Sequence, residues 1–326
     1  MIISRTPYRI SFFGGGSDYP NWYLKNGGQV ISTTIDKYIY ISVRHLPPFF
    51  KHKLRFVWSK IEYCEDIDQI IHPSFREVLK FLNIRNSVEV HYDGDIPSRS
   101  GVGSSSSFTV GLLNAMYAYQ GRMVSPKKLA EESIHIEQDL IGEIVGSQDQ
   151  TASAYGGFNK ISFKNDGNII VDPIRITKRR KDILQESIML FYTGIVRTAE
   201  EIAVSYVKDI KNKKKQIIKI QNMVDEAIEI ISNGEILDFG ILLDKLWKEK
   251  SSLSADVSNN LIDQIYLKAK SSGALGGKIC GAGGGGFLML FVERKNQKSV
   301  RDALSKLTEV PFKFEPRGSE IIFYEE

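Results

Sequence analysis

A run rich in proline, glycine and serine over residues 97–107 leads directly into a segment with helical spacing. Gly101 and Gly103 can adopt backbone conformations that other residues avoid, and they let a ligand approach the main chain. The first N–H groups of the following helix have no partner within it. Because such a junction binds phosphate, we predict an anion site at the start of a helix over 104–119. An ordinary turn with a serine N-cap is the alternative.

The loop is neither a Walker loop, since no Gly-Lys-Ser or Gly-Lys-Thr closes it, nor the loop of the protein kinases. A different way of binding a nucleotide is therefore predicted. The serines at 104–107 add hydroxyl oxygens, which are suitable ligands for Mg²⁺.

The composition is that of a globular protein. With 326 residues, 42% hydrophobic and 25% charged, the chain has the length of about two domains and is neither disordered nor fibrous in character. The net charge of +4 comes without a basic stripe, so no nucleic-acid partner is expected. Cys64 and Cys280 form no Cys-x-x-Cys pattern, which argues against a disulfide scaffold or zinc site and favours the cytoplasm. No apolar run reaches the roughly 18 residues of a membrane span, so no membrane partner is expected.

The order of the predicted elements is typical of an α+β fold rather than of a doubly wound parallel sheet. Strands are predicted at 9–13, 29–35, 38–43, 54–58, 87–92, 158–163 and 169–171. Two helices, over 104–119 and 126–141, interrupt them. After the basic stretch 178–181 and one more strand, the pattern changes to long helices. We therefore predict a boundary near residue 180, between domains of residues 1–180 and 181–326.

The helix expected over 126–141 carries one acid on its apolar side. At about 100° per residue, its apolar residues occupy one arc of the helical wheel. Glu137 falls in the middle of that arc, and the other charged residues lie opposite. Because a carboxylate is rarely buried without a cation, Glu137 predicts either a metal or an internal salt bridge to Arg or Lys.

Two further acids belong to segments that contain glycine. Residues 146–150 are expected to form a loop, in which Asp149 is either a general base for phosphoryl transfer or the N-cap of the next turn. Near the N-terminus, a strand that carries Arg9 breaks into three glycines before Asp18. Asp18 is a candidate for binding sugar hydroxyls, and Arg9 for holding a phosphoryl group or lowering the pKa of a carboxylate. The alternatives are a turn residue and an outward-facing strand residue.

A second glycine run, residues 281–286, links two predicted strands near the C-terminus. Its glycines would let this segment pack closely over another backbone, such as the loop at 97–107. A flexible hairpin is the alternative.

Three motifs, in this order along the chain, resemble those of the GHMP kinase family (galacto-, homoserine, mevalonate and phosphomevalonate kinases). They are residues 6–19, 97–105 and 281–286. Within the family, residues 14–18, 146–150, 154–159 and 277–280 look like those of the kinases of D-glycero-D-manno-heptose 7-phosphate. The resemblance covers essentially the whole chain. It implies an N-terminal domain like domain 2 of ribosomal protein S5, a ferredoxin-like C-terminal domain, and an active site in the cleft between them.

The resemblance also implies an enzyme that uses ATP and Mg²⁺ to phosphorylate a sugar hydroxyl. For the heptose kinases this is the anomeric hydroxyl, and the product is a 1,7-bisphosphate for nucleotide-sugar synthesis. A kinase for fucose, a hexose or a mevalonate-type alcohol is an alternative, and so is a catalytically silent sugar sensor. The sequence gives no indication of the oligomeric state.

By the same resemblance, Asp149 and Arg9 are catalytic, and Ser105 and Glu137 bind the metal. The residues implied to bind ATP are Pro97, Ser98, Gly101, Val102, Gly103, Ser104, Ser105 and Ser106. The residues implied to bind the sugar substrate are Gly15, Gly16, Asp18, Gln150, Arg197 and Gly284. Many relatives have alanines where this chain has Ser106 and Ser107, so the hydroxyl that meets the metal stays open.

Overall fold

The computed structural model describes residues 1–85, 87–195, 207, 210 and 212–325. The strands are β1 (Ile2–Phe13), β2 (Gly28–His45), β3 (Leu54–Val57), β4 (Ile61–Cys64), β5 (Val88–Gly94), β6 (Phe158–Phe163), β7 (Ile169–Pro173), β8 (Ile188–Tyr192), β9 (Ala274–Ile279), β10 (Phe287–Val292), β11 (Thr308–Glu309), β12 (Phe314–Glu315) and β13 (Glu320–Tyr324). The helices are α1 (Pro20–Asn26), α2 (Pro73–Phe81), α3 (Ser104–Tyr119), α4 (Pro126–His135), α5 (Gln148–Tyr155), α6 (Lys178–Glu186), α7 (Lys214–Ser232), α8 (Ile236–Ser251), α9 (Asn260–Ser271) and α10 (Gln297–Ala303). A π-helical turn at Ile136–Leu140 follows α4. The chain combines helices with two β-sheets, which confirms the α+β class.

Within the described ranges, nine strands form one sheet around the long strand β2. One edge of β2 pairs with β1, and the other pairs in succession with β6, β12 and β5, all of them antiparallel. The sequence predicted two strands here, with a break at Asp36 and Lys37. The strand is continuous because residues 312–315 return to this point: Asp36 N donates to the carbonyl of Lys313 at 2.9 Å, and Lys313 N donates to Asp36 Oδ1 at 2.7 Å.

Helix α3 packs against β1 and β2 and is surrounded by other elements, as twelve of its 16 residues are buried. A helix that is apolar on all sides is a core helix. Gly111 permits the close approach of α3 to β1, since a Cβ at this position would lie 2.7 Å from Thr6 Oγ1. This packing fixes the start of α3 beside the middle of β1.

The second sheet is antiparallel and has the order β11-β8-β10-β9. Helix α8 packs against β9 and β10, and α7 packs against α8 and reaches β1 and β2. The boundary expected near residue 180 stays a prediction. The last strands, β12 and β13, pair with β2 and β1, so residues 314–324 return to the first sheet instead of ending in the second.

The basic stretch 178–181 begins a helix, α6, that the sequence analysis missed. Arg180 gives it a structural role. The guanidinium donates to the carbonyls of Ile230, Ile231 and Gly234 at 2.6–2.8 Å, which supplies partners for the last carbonyls of α7.

Candidate active site

The first glycine loop, residues 97–103, ends at the N-terminus of α3 as predicted. Gly101 and Gly103 have φ angles of +82° and +81°, a conformation that favours glycine. The loop is closed by Ser104, whose hydroxyl accepts a hydrogen bond from Arg99 N at 3.1 Å. Pro97 and Ser98 are exposed, and Val102 is buried. The free N–H groups at the start of α3 therefore follow an accessible turn.

Arg9 joins this loop to Asp149. Its guanidinium donates to both carboxylate oxygens of Asp149, at 2.7 Å and 2.6 Å, and to the carbonyl of Gly101 at 2.8 Å. The backbone N–H of Arg9 also donates to Val102 O at 3.0 Å. The Arg9 side chain is only 3% exposed, whereas that of Asp149 is 25% exposed. A bidentate pair of this kind fixes the carboxylate in one orientation.

The sequence predicted that Asp149 lies in a loop, but it lies in the first turn of α5. Ser147 is the N-cap of this helix, so Asp149 is not the cap either. A carboxylate is stabilised near a helix N-terminus by the unpaired N–H groups there. The structure thus brings Asp149 next to the first glycine loop, at the point where α5 begins.

Glu137 is fully buried, as the helical wheel predicted. The Ser106 hydroxyl donates to its Oε2 at 2.9 Å, and the amide of Gln150 donates to the same oxygen. Burial raises the pKa of Glu137 from 4.5 to about 7, and the charge of Glu143 adds to that effect. The predicted salt-bridge alternative finds no support, because no Arg or Lys among the described residues pairs with Glu137. Helix α4 ends at His135, and Glu137 lies in the π-helical turn that follows it.

The residues around Glu137 fit a magnesium ion. In the described part of the chain, Glu137 Oε1 accepts no hydrogen bond of normal geometry, although the Thr109 hydroxyl lies close enough to lower the pKa of the acid. A buried carboxylate oxygen beside a serine hydroxyl is the hard donor set that Mg²⁺ prefers. No group of three or more His, Cys, Asp or Glu side chains in the described ranges could hold a metal, so phosphate and water would have to complete the shell.

The structure brings Ser106 to Glu137, whereas the predicted ligand Ser105 is exposed. The extra serines of this chain are therefore not interchangeable. Ser107 is directed elsewhere: it donates to the carbonyl of Pro7 at 3.0 Å. The predicted sugar-binding residue Gln150 is buried and donates to Glu137, and it forms no hydrogen bond with Asp18 among the described residues.

Asp18 is buried at the turn that follows β1. Gly16 N donates to its Oδ1 and Gln148 Nε2 to its Oδ2, both at 2.9 Å. Gly15 is adjacent, because a Cβ there would lie 3.8 Å from Gln148 Nε2. Burial, and next the charge of Asp149, raise the pKa of Asp18. Asp18 and Asp149 thus lie close enough to repel each other.

The second glycine loop, residues 281–286, packs over the first, which confirms the predicted contact. A Cβ at Gly101 would lie 2.6 Å from the carbonyl oxygen of Cys280, so the two backbones touch. Within the second loop, Gly284 N donates to Val257 O at 2.8 Å and has a φ of +72°. Of the predicted sugar-binding residues, Arg197 lies outside the described residues.

Two lysines near this site escaped the sequence analysis. Lys250 donates to the carbonyl of Gly281, and Lys278 Nζ donates to Ser11 O at 2.7 Å. Both side chains are buried. The helical wheel that identified Glu137 would have found Lys250, which follows Phe239, Leu243 and Leu246 on the buried face of α8.

Comparison with known proteins identifies the family. The family model "GHMP kinases N terminal domain" matches residues 70–157, and "GHMP kinases C terminal" matches residues 225–309. The D-glycero-alpha-D-manno-heptose 7-phosphate kinase of Campylobacter jejuni is 31% identical over 94% of this chain and 93% of its own length. A galactokinase of Pyrococcus furiosus is 23% identical, over 93% and 92% of the two lengths.

A solved structure titled as a D-glycero-D-manno-heptose 1-phosphate kinase from Bacteroides thetaiotaomicron shares the fold. Its TM-score is 0.81 at 22% identity, and the match covers 100% of both chains. No described helix of this chain is both long and apolar enough to cross a membrane. The chain belongs to the GHMP kinases and is an ATP-dependent sugar kinase, a phosphotransferase with an alcohol group as acceptor.

Proposed function

We propose that this kinase transfers the γ-phosphoryl group of ATP to the anomeric hydroxyl of D-glycero-D-manno-heptose 7-phosphate and so forms the 1,7-bisphosphate. The observation that carries the proposal is the bidentate pair of Arg9 and Asp149 held against the carbonyl of Gly101. It puts an acid able to accept a hydroxyl proton beside a loop able to hold phosphate. The similarity to the heptose 7-phosphate kinase of Campylobacter jejuni supports the choice of sugar.

In this mechanism the hydroxyl oxygen attacks the γ-phosphorus, the bond to the β-phosphate oxygen breaks, and ADP leaves. Asp149 accepts the hydroxyl proton, and a positioned base of this kind contributes roughly 10²–10⁴-fold. Arg9 orients Asp149 and offers positive charge near the phosphates. The first N–H groups of α3 and the backbone of Gly101 and Gly103 bind the triphosphate.

Mg²⁺, when bound, would neutralise charge on the phosphate oxygens during transfer. Glu137 and a serine hydroxyl of the first turn of α3 would hold it. Ser106 is the serine that the contacts favour, since it already donates to Glu137.

Asp18 would accept hydrogen bonds from sugar hydroxyls, with the backbone of Gly15 and Gly16 beside it. Gln148 orients the Asp18 carboxylate through its hydrogen bond to Oδ2. Arg197 and Gly284 remain candidates for the rest of the sugar, and Arg197 for its phosphate. The cytoplasmic location also remains a prediction.

The experiment is a panel of acceptors with ADP release as the signal and NMR of the product. Heptose 7-phosphate, heptose, fucose, galactose and mevalonate are offered at equal concentration. We expect the highest kcat/KM for the heptose 7-phosphate, with the new phosphate on C1. Preference for an unphosphorylated sugar would replace the proposed substrate, and no ADP release with any acceptor would support a silent sensor.

A further inference from the structure

Lys250 is a buried cation at the end of helix α8. It ends the apolar face of that helix, after Phe239, Leu243 and Leu246, and is only 4% exposed. A lysine at such a position is uncommon, because burial of an ammonium group costs free energy unless a partner compensates it. What compensates Lys250 therefore indicates what it does.

Among the described residues, Lys250 forms no ion pair, whereas its neighbours Lys248 and Glu249 on α8 each form one. Lys248 Nζ lies 2.8 Å from Asp244 Oδ2, and Glu249 Oε1 lies 2.9 Å from Lys219 Nζ. These pairs are on the exposed side of the helix. Within the described ranges, no carboxylate lies within 4 Å of Lys250, and its ammonium group donates to the carbonyl of Gly281. An ammonium group has three donors, so this one bond leaves capacity unused.

The bond from Lys250 reaches the point where the two glycine loops touch. Gly281 is the first residue of the second glycine loop, and a Cβ on it would lie 2.9 Å from Gly101 Cα. Gly101 in turn accepts the hydrogen bond from Arg9 that accompanies the pair with Asp149. A continuous path of contacts thus runs from Lys250 through both loops to Arg9.

The charged groups around Lys250 come from several elements. Burial, the largest effect, lowers the pKa of Lys250 to about 8, and the charge of Arg9 lowers it further, whereas Cys280, Asp18 and Asp149 raise it. Burial also raises the pKa of the Cys280 thiol. Lys278 is the remaining neighbour, and burial followed by the charge of Lys250 lowers its pKa well below the usual value.

We propose that Lys250 is a positioning residue for phosphoryl transfer: its ammonium group holds the carbonyl of Gly281, sets the second glycine loop against Gly101, and places a positive charge beside the Arg9–Asp149 pair. The proposal deepens the function proposed above and rests on it. Asp18 and Asp149 are the two carboxylates whose charges act on Lys250, and the same site must also accept a triphosphate. The ammonium group of Lys250 reduces the repulsion between these carboxylates and the phosphates of bound ATP.

The first test compares Lys250→Met with Lys248→Met in the full chain. Both changes remove one lysine charge from the last turn of α8, but Lys248 is 73% exposed and belongs to no part of the site. We expect kcat of Lys250→Met to fall by about 10- to 100-fold, the scale of a misplaced catalytic group. Lys248→Met should stay within about twofold of the wild type. A Lys250→Met enzyme that folds and retains a kcat within threefold overturns the proposal.

The second test uses Lys250→Arg and remains informative if the methionine variant does not fold. Lysine loses its charge as pH rises through its pKa, whereas an arginine stays protonated. We expect wild-type kcat to fall above about pH 8, and the fall to move to higher pH in Lys250→Arg. If Lys250 had only a structural role, its replacement by arginine would not shift the alkaline fall in kcat. An identical alkaline limb in both enzymes overturns the proposal.

The third test does not depend on the identity of the sugar. The ammonium titration of Lys250 is followed by NMR of the ¹⁵N-lysine-labelled protein, with Lys250→Arg giving the assignment. We expect the midpoint to fall in Asp149→Asn, because a carboxylate that stabilises the ammonium form has been removed. An unchanged midpoint overturns the proposal. If the wild type releases no ADP with any acceptor, the proposed function fails, and this titration still decides whether Lys250 is coupled to Asp149.

Discussion

Two acids flank the start of helix α3, and their charges are balanced in different ways. Asp149 is partly exposed and receives two hydrogen bonds from Arg9. Glu137 is fully buried and receives hydrogen bonds from the neutral groups of Ser106 and Gln150. Within the described residues, the protein therefore supplies a cation for Asp149 and only neutral hydrogen-bond donors for Glu137.

This difference supports the separate roles proposed for the two acids. An acid already oriented by an arginine can act on a bound hydroxyl, whereas a buried acid with a free oxygen is suited to a metal. Burial without a paired cation raises the pKa of Glu137 to about 7. Substitutions of the two acids should therefore impair the activity in different ways.

Asp149→Asn should have the largest effect. The amide cannot accept the hydroxyl proton, so we expect kcat to fall by about 10²–10⁴-fold while ATP binding, measured by calorimetry, stays near that of the wild type. Asp139→Asn is a suitable control, because this exposed acid pairs with His135 on the surface. Normal turnover in Asp149→Asn would remove Asp149 from the catalytic role.

Glu137→Gln should act through the metal. We expect the Mg²⁺ concentration for half-maximal rate to rise by about tenfold or more, as it does when support for a metal is lost. The rate at saturating Mg²⁺ should recover in part. Glu131→Gln on the exposed side of α4, which pairs with Lys127, controls for a change of charge. An unchanged metal dependence would mean that Glu137 has only a structural role.

Glu137→Gln should also change the pH dependence of stability. Folding raises the pKa of Glu137 from 4.5 to about 7, so its ionisation destabilises the folded protein as pH rises through this range. In EDTA at pH 8 we expect the variant to exceed the wild type in free energy of unfolding by on the order of 3 kcal/mol. Near pH 5 the difference should shrink to below about 1 kcal/mol. Urea unfolding at both pH values measures it, and an equal difference at each would contradict the assigned burial.

The serine pair should give the smallest effect and resolves which hydroxyl supports the metal. Ser106→Ala removes the hydroxyl that donates to Glu137 Oε2, so we expect the Mg²⁺ requirement of this variant to rise by about tenfold. Ser105→Ala alters an exposed hydroxyl and should change that requirement by less than about threefold. The reverse order would assign the metal to Ser105.

Local patterns predicted the parts of the site that depend on neighbours in the chain. The glycine loop before α3 and the inward direction of Glu137 follow from residue type and helical spacing alone. The same wheel would have identified Lys250. Where the pattern was interrupted the predictions were wrong: β2 is continuous across Asp36, and Asp149 lies in the first turn of a helix and not in a loop.

The amino-acid sequence alone determined a glycine loop at a helix start and a glutamate on an apolar face, because both depend on backbone freedom and on a period of about 3.6 residues. The tertiary structure decided that Arg9 pairs with Asp149 across 140 positions of the chain, and that Ser106 rather than Ser105 reaches Glu137. It also decided that the final strands return to the first sheet. These outcomes depend on packing between distant segments, for which a single sequence carries no periodic signal.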